Sequence, residues 1–360
     1  MFMKSSLFSV TSAVAIAGVL TLSGCMGGSD DKQAAAPAAA PAQANTLADV
    51  QSKGYLSCGV STGLGGFSAA DDAGNWTGVD VDVCRAVAAA ALGDDSKVKY
   101  VPLTAKERFT ALQSGEIDML SRNTTWTHTR DTSLGLNFAG VNYYDGQGFL
   151  VSKASGINSA DQLNGASFCI QAGTTTELNL ADYFRSKGMK FQAVTFDTSA
   201  QSRIGFEQGR CDALTSDQSQ LYSIRSQLKD PNSAVVLDGV ISKEPLGPVV
   251  RQGDDAWFNI VRWSLNALIT ADELGVTSAN IDDMAANSNN PTIQRLVGKT
   301  GKLYEHLGLD QKWSYNIVKQ VGNYGESFDR NIGPGTPLNI SRGLNAQWSD
   351  GGILYAPAFR

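Results

Sequence analysis

The sequence predicts an α/β protein of two lobes with a ligand cleft between them. Short apolar runs alternate with helical patterns along the chain, as expected of sheets covered by helices. The stretch GEIDMLSRN at 115–123 is echoed by GRCDALTSD at 209–217. In each copy a Gly ends a helix, an x-x-Asp-x-Leu strand follows, and polar residues sit past the strand end. The chain from Thr46 onward is also long enough for two domains. Ligands in such folds bind beyond the carboxyl ends of strands, so two units of this kind facing each other would enclose one site.

The first 25 residues read as a signal peptide with a lipidation site. Lys4 is the positive end, 7–22 the apolar core, and Leu22-Ser23-Gly24-Cys25 places small residues before a Cys. Cys25 is therefore expected to carry lipid; a cleaved secretory signal without lipid and an uncleaved anchor are the alternatives. The apolar core is short for a membrane span. Residues 29–45, rich in Ala and Pro with almost no large apolar side chains, read as a tether. The expected organisation is 1–24 signal, 25–45 tether, 46–148 first lobe, 149–245 second lobe, and 246–360 a return to the first lobe with a C-terminal extension.

The formal charge is −6, one unit more negative once Lys4 leaves with the signal. That balance, with no basic patch, argues against nucleic-acid binding. Four cysteines remain beyond the signal, and an even number there suggests disulfides. Cys58–Cys84 and Cys169–Cys211 are the expected pairs, because each lies within one predicted βα unit; buried free thiols are the alternative. Neither His128 nor His306 stands at ligand spacing with a Cys, so no metal is expected, and nothing calls for a cofactor.

Along the chain, a short helix is expected from Thr46, with Thr46 as N-cap and Gly54 past its end. A strand follows at 55–60. The segment 59–63 fits G-x-S-x-G, but that elbow needs a helix directly after the Ser. Gly63, Gly65 and Gly66 follow instead, which rejects Ser61 as a nucleophile. Asp80 or Asp82 is expected to cap a helix that buries Val83, Cys84, Val87, Ala88 and Ala91 and ends at Gly93. A strand at 97–102 leads to a capping box, Thr104 to Glu107, and a helix carrying Phe109 and Leu112. Then comes the apolar strand of Ile117, Met119 and Leu120. Past its end stand Ser121, Asn123, Thr124, Thr125 and Thr127, with Arg130 in the first turn of the next helix. Such a convergence of donors suits a carboxylate; the plain alternative is a surface pair of Arg130 with Asp131. Residues 143–153 read as a strand leaving the first lobe and 166–171 as the first strand of the second. A second capping box, Thr174 to Glu177, starts a helix facing the cleft. Strand 190–196, helix 199–209 and strand 211–215 lead to Asp217, whose plain reading is a surface cap for the helix after it. KEPLGPVV at 243–250 returns the chain, with Gly247 and Pro248 at the turn. Helix 254–272 and several short helices complete the pattern. One unit thus ends in a cation and the other in an anion, which matches the two ends of a free amino acid.

At this point the chain resembles the periplasmic amino-acid-binding proteins of ABC transporters (solute-binding protein family 3), and most the general L-amino-acid-binding branch. The resemblance runs from about Thr46 to the C-terminus. It rests on CGVSTGLGGFS, GNWTGVDVDVCRAVA, RFTALQSGEID, SRNTTWTHTRD, YYDGQGF, AGTTTELNLADYF, GRCD, TSDQS and SKEPLGP. It implies the type II periplasmic-binding-protein fold, with two hinge crossings. It also implies that Arg130 and Thr175 hold a ligand carboxylate, that Asp217 and Thr125 hold an ammonium, and that Asn123 completes the polar cage. The family's aromatic clamp falls on Leu64 and Ala105, neither aromatic, which implies breadth of substrate. Leu64, Trp126 and Thr176 are further candidates for ligand contact. The expected partners are an L-amino acid, a membrane permease of an ABC transporter, and the membrane through the lipid anchor. The expected state is a monomer in the periplasm. The resemblance also leaves a dehydratase-type enzyme on the same fold, using His128 or Glu177, or a ligand-sensing partner of a receptor.

Overall fold

The computed structural model describes residues 45–360, so the signal, the lipidation site at Cys25 and the tether lie outside the described residues, apart from Asn45. The first sheet is built from short strands, fully buried in its interior and partly exposed at its edge. Helix α1 (Thr46–Lys53) leads into β1 (Leu56–Ser61), whose six residues are all buried, as expected for a strand covered on both faces. The N-cap of α1 is Asn45 rather than Thr46, because the Asn45 side chain accepts from the Ala48 N–H and the Asp254 carboxylate takes the Thr46 N–H. A hairpin, β2 (Ala69–Ala70) and β3 (Trp76–Thr77), precedes α2 (Val79–Leu92); β4 (Val98–Leu103), α3 (Arg108–Ser114), β5 (Met119–Leu120), α4 (His128–Ser133) and β6 (Leu136–Phe138) follow.

Two strands then meet as a ribbon between the sheets. β7 (Tyr143–Asp145) pairs antiparallel with β13 (Glu244–Leu246), Asp145 lying opposite Glu244. The segment 143–153 is therefore two strands, not one: β7 ends at Asp145, Gly146 breaks the run, and β8 (Gln147–Ser152) begins the second sheet. Between β8 and β13 come β9 (Ser167–Gln171), α5 (Thr175–Ser186), β10 (Gln192–Phe196), α6 (Ser199–Glu207), β11 (Ala213–Asp217), α7 (Gln218–Ser226) and β12 (Ala234–Val236).

After the ribbon, β14 (Val249–Arg251) rejoins the first sheet and α8 (Asp255–Glu273) packs behind it. The turn depends on Gly247, because a Cβ there would stand 1.9 Å from the Gly140 carbonyl oxygen. Short helices α9 (Ile281–Asn287), α10 (Pro291–Leu296), α11 (Leu303–Leu307), α12 (Trp313–Val321) and α13 (Tyr324–Asn331) complete the first lobe.

The two sheets share one plan. The first runs β4-β1-β5-β14-β6 and the second β10-β9-β11-β8-β12. In each, three parallel strands are followed by an antiparallel one. The echoed segments supply the third strand of each sheet, β5 and β11, so the repeat in the sequence is a repeat in position. Both are preceded by a Gly with left-handed backbone, Gly115 at φ 81° and Gly209 at φ 69°.

Each sheet has an apolar cluster on each face. The two expected disulfides are formed, Cys58–Cys84 with Cα atoms 6.2 Å apart and Cys169–Cys211 at 5.6 Å. The C-terminal extension adds Leu338, Leu354 and Phe359 to the first lobe's main core. Its Asn345 side chain accepts from the Tyr144 N–H at 2.7 Å and donates to the Tyr144 carbonyl at 3.1 Å, which ties the extension to the ribbon. No helix of the described residues is long and apolar enough to cross a membrane.

Candidate functional site

The site lies past the ends of β5 and β11. The loop after β5 is held from behind by Asp80. This residue does not cap α2, whose N-cap is Gly78 with no side-chain bond. Its buried carboxylate instead accepts from the Asn123 N–H at 2.7 Å, the Asn142 amide at 2.9 Å and the Ser121 hydroxyl at 3.4 Å. Burial raises its carboxyl above the usual range, and these bonds pull it back. Asn123 itself sits at φ +30°, a left-handed conformation that Asn tolerates better than most residues. The loop is also zipped to the returning strand: Trp126 N–H donates to the Pro245 carbonyl at 2.8 Å and Gly247 N–H to the Thr124 carbonyl at 3.0 Å.

Arg130 stands in the first turn of α4, whose N-cap Thr127 accepts from the Arg130 N–H at 3.3 Å. The side chain points inward, 9 % exposed, and makes no pair with Asp131. Its guanidinium donates to the Thr125 carbonyl at 2.9 Å and lies 5.1 Å over the Phe109 ring. Burial lowers its pKa, while the Glu244 and Asp217 carboxylates counter that loss. Arg130 and Asp217 thus share one electrostatic neighbourhood.

From the second lobe, Thr174 caps α5 and leaves Thr175 at its first position. The Thr175 hydroxyl is 3.2 Å from the Thr125 hydroxyl across the lobes and donates to Glu244 at 2.9 Å. Asp217 ends β11. It is 5 % exposed and does not cap α7; one of its oxygens has no hydrogen-bond partner. Burial pushes its carboxyl well above the usual range, and the Asp145 and Glu244 carboxylates push it further. Asp145, opposite Glu244 in the ribbon, is itself pushed up to about 6 by burial. A buried, under-satisfied carboxylate among like charges favours a cation at that point.

Thr125, Thr175, Thr176, Asn123 and Asp217 line one narrow crevice, with Arg108 and Arg122 on its wall; it is nearly filled, with only about 10 Å³ free, and Arg130 stands behind its lining rather than in it. The lobes meet around it. Asn123 donates to Gln220 at 3.3 Å, and Lys106 pairs with Asp197 at 2.8 Å at the rim. Gly65 allows a close approach, since a Cβ there would stand 3.1 Å from the Ser223 hydroxyl.

The other candidates sit apart from this crevice. Leu64 is packed in the first lobe's core. Trp126 is 39 % exposed, its ring stacked on Phe138 with centroids 5.7 Å apart. His128 is exposed at the start of α4, and Glu177 accepts from the Gly173 N–H at 3.1 Å as part of the α5 cap. No group of His, Cys, Asp and Glu able to hold a metal occurs among the described residues.

At the site, the sequence reading missed the roles of Arg108, Arg122 and Glu244 and took Asp80 for a helix cap. Glu244 accepts from Thr175, from Asn179 at 2.6 Å and from Ser242 at 2.7 Å. One signal was present. Arg108 opens a helix whose next residues, FTAL, are largely apolar, where a charged residue has little reason to face inward unless it has work there.

The pattern of the bacterial extracellular solute-binding proteins, family 3, matches residues 56–279. The chain is 57 % identical over 324 residues to the general L-amino acid-binding periplasmic protein AapJ of Rhizobium johnstonii, covering 89 % of this chain and 95 % of that one. It is 52 % identical over 326 residues to the glutamate/glutamine/aspartate/asparagine-binding protein BztA of Rhodobacter capsulatus, covering 91 % and 96 %. Among solved structures, a Brucella ovis ABC transporter periplasmic binding protein with glutathione bound is similar at a TM-score of 0.86 and 57 % identity, covering 88 % of this chain and all of that one.

Proposed function

The chain belongs to the bacterial extracellular solute-binding proteins, family 3, and from that premise we propose that it binds L-amino acids outside the cytoplasm for an ABC permease. The observation that carries this reading is a buried, under-satisfied anion, Asp217, in a crevice walled by guanidiniums, with the buried Arg130 just behind the crevice loop, bonded to the carbonyl of the crevice residue Thr125. A zwitterion supplies the complement of both. Arg130 and Thr175 hold its carboxylate; Asp217 and Thr125 hold its ammonium, with Asn123 closing the cage. The two lobes close over the ligand about the ribbon of β7 and β13, and the closed form is the one offered to the permease.

The relatives support the class of ligand. AapJ is named for L-amino acids in general and BztA for four of them. Glutathione, found in the Brucella protein, carries a free α-amino and α-carboxyl group on its glutamyl end, the same dipolar handle. Binding occurs without chemistry: His128 is exposed and Glu177 is spent on a helix cap. We take the protein to be a monomer held in the periplasm by lipid on Cys25.

Titration calorimetry with L-amino acids, their D-enantiomers and the matching keto acids tests the reading. Tight binding of L-amino acids alone supports it; turnover of any of them, or no binding, overturns it. For the anchor, Cys25→Ala is expected to release the protein from membranes, and unchanged detergent partitioning would refute it.

A further inference from the structure

Behind the hinge lies a second groove, of about 490 Å³. Its floor is the ribbon strand β7. One wall is α7 with Val240 of the second lobe, and the other is the segment 337–345 of the C-terminal extension. The extension lies outside the family pattern, which ends at residue 279. It is fixed to the first lobe and to the ribbon. The Arg342 guanidinium pairs with Asp272 of α8 at 2.6 Å and lies over the Tyr324 and Phe328 rings. The Ile340 N–H donates to the Ile332 carbonyl at 2.9 Å, and Asn345 grips both backbone groups of Tyr144.

The groove and the ligand crevice lie on opposite sides of α7. Asp217 and Gln220 line the crevice, whereas Gln218, Ser219, Tyr222 and Arg225 line the groove. At about 100° per residue the two sets fall on opposite faces of the helix. A rigid second lobe turning about the ribbon therefore narrows one space as it widens the other. The structure shows one end of that motion. On the crevice side the lobes touch, through Thr125 and Thr175, Asn123 and Gln220, and Lys106 and Asp197. On the groove side, the polar bonds of segment 337–345 go to the first lobe and the ribbon, and none among the described residues reaches the second lobe. Two aliphatic side chains line this gap from its two walls, Val240 at 52 % exposed and Leu344 at 58 %. Val240 sits directly on the hinge, since a Cβ at Gly146 would stand 2.7 Å from it.

We propose that segment 337–345 is a stop behind the hinge. As the lobes open, α7 and Val240 swing onto it, and Val240 and Leu344 leave water only in that open form. The contact stabilises the open, ligand-free protein, so it lowers the affinity for every ligand by the same factor. The inference rests on the reading of a cleft that closes over its ligand, and it is independent of which amino acid is bound.

The test is solution X-ray scattering and calorimetry on the full-length protein with L-Glu, L-Gln, L-Leu and L-Ala, comparing wild type with Val240→Ser and Leu344→Ser. Both residues are exposed in the closed form, so the substitutions spare its packing. Removing the whole extension would not, because Leu338, Leu354 and Phe359 belong to the core. Wild type is expected to contract on binding. Each variant should bind every ligand about 5-fold more tightly, with ligand-free scattering nearer to that of the bound form. The double variant should gain less than the product of the two single gains, because the residues share one contact. Unchanged affinity and scattering, or weaker binding, would overturn the stop. A change confined to one ligand would place the effect in the crevice and overturn it too. If a Ser variant does not fold, Leu344→Lys, which keeps a long stem and adds a charge, is read in the same way. Wild type that binds without contracting refutes the stop but leaves amino-acid binding standing. Wild type that binds none of the four refutes the amino-acid reading instead, and the ligand-free scattering alone then decides the stop.

Discussion

Replacing Asp217 with Asn separates what the residue does for a ligand from what it does for the fold. In the ligand-free protein its carboxylate is buried, lacks a partner on one oxygen, and faces Asp145 and Glu244. The carboxamide of Asp217→Asn would have the same shape without the charge. Removing an under-satisfied buried acceptor and its repulsion should stabilise the ligand-free protein by about 1–3 kcal/mol, a rise of a few degrees in Tm. The ligand, by contrast, loses the counter-charge for a desolvated ammonium. Breaking a buried pair costs about 3–5 kcal/mol, a loss of roughly 150- to 5000-fold in affinity. Calorimetric titration of an L-amino acid gives the second quantity and a melting scan without ligand gives the first. The opposite signs are diagnostic of a binding residue maintained at the expense of stability. A variant that melts lower and binds as well as the parent would show that Asp217 is a structural residue and that the ammonium is held elsewhere.

Other outcomes follow from the same structure. Arg130→Ala should weaken every amino acid alike by several kcal/mol, since the group lost serves the common carboxylate; selective loss for one side-chain class, read by calorimetry, would show that Arg130 serves the side chain. The raised carboxyls of Asp145 and Asp217 set a pH dependence. Each folded-state pKa lies above the unfolded value, so the folded protein holds more protons in the interval between them, and stability falls as pH rises through it. Taking the ligand-free protein from about pH 7 to about pH 5 should therefore recover stability from these two groups while weakening ligand binding, because the ammonium requires ionised Asp217. Melting and titration across that range, with Asp217→Asn as the control that loses its part of the trend, measure both. Replacing Cys169 and Cys211 by Ser opens a link between residues 42 apart; chain entropy predicts a loss of about 4 kcal/mol, seen in denaturant unfolding.

Much of this architecture was legible in the sequence, for a local reason. The two Gly-strand-polar units are short, contiguous and written in residues with strong backbone preferences, so the repeat itself could be read from spacing; that both fall third in their sheets could not. Arg130 comes soon after the first unit, Asp217 ends the second, and Thr175 follows the capping residue Thr174. Asp80, Arg108, Arg122 and Glu244 were hidden because their roles are set by long-range partners. Asp80 works through Asn123 and Asn142, 43 and 62 residues away, and Glu244 meets Thr175 across 69 residues. Alone, each reads as a solvated surface charge or, for Asp80, as a helix cap. The break at Gly146 was missed although Asp145, Gly146 and Gly148, all poor strand formers, lie across it. What divides the run is the change of partner, from β13 to β11 and β12.

The central claim is that the crevice recognises both ends of an amino acid at once. Its most direct test is titration with one L-amino acid that binds, beside its N-acetyl and its carboxamide derivatives. The account predicts that masking either end removes most of the binding, the acetyl group by depriving Asp217 of a cation and the amide by depriving Arg130 of an anion. An N-acetyl derivative that binds as tightly as the free amino acid would contradict it.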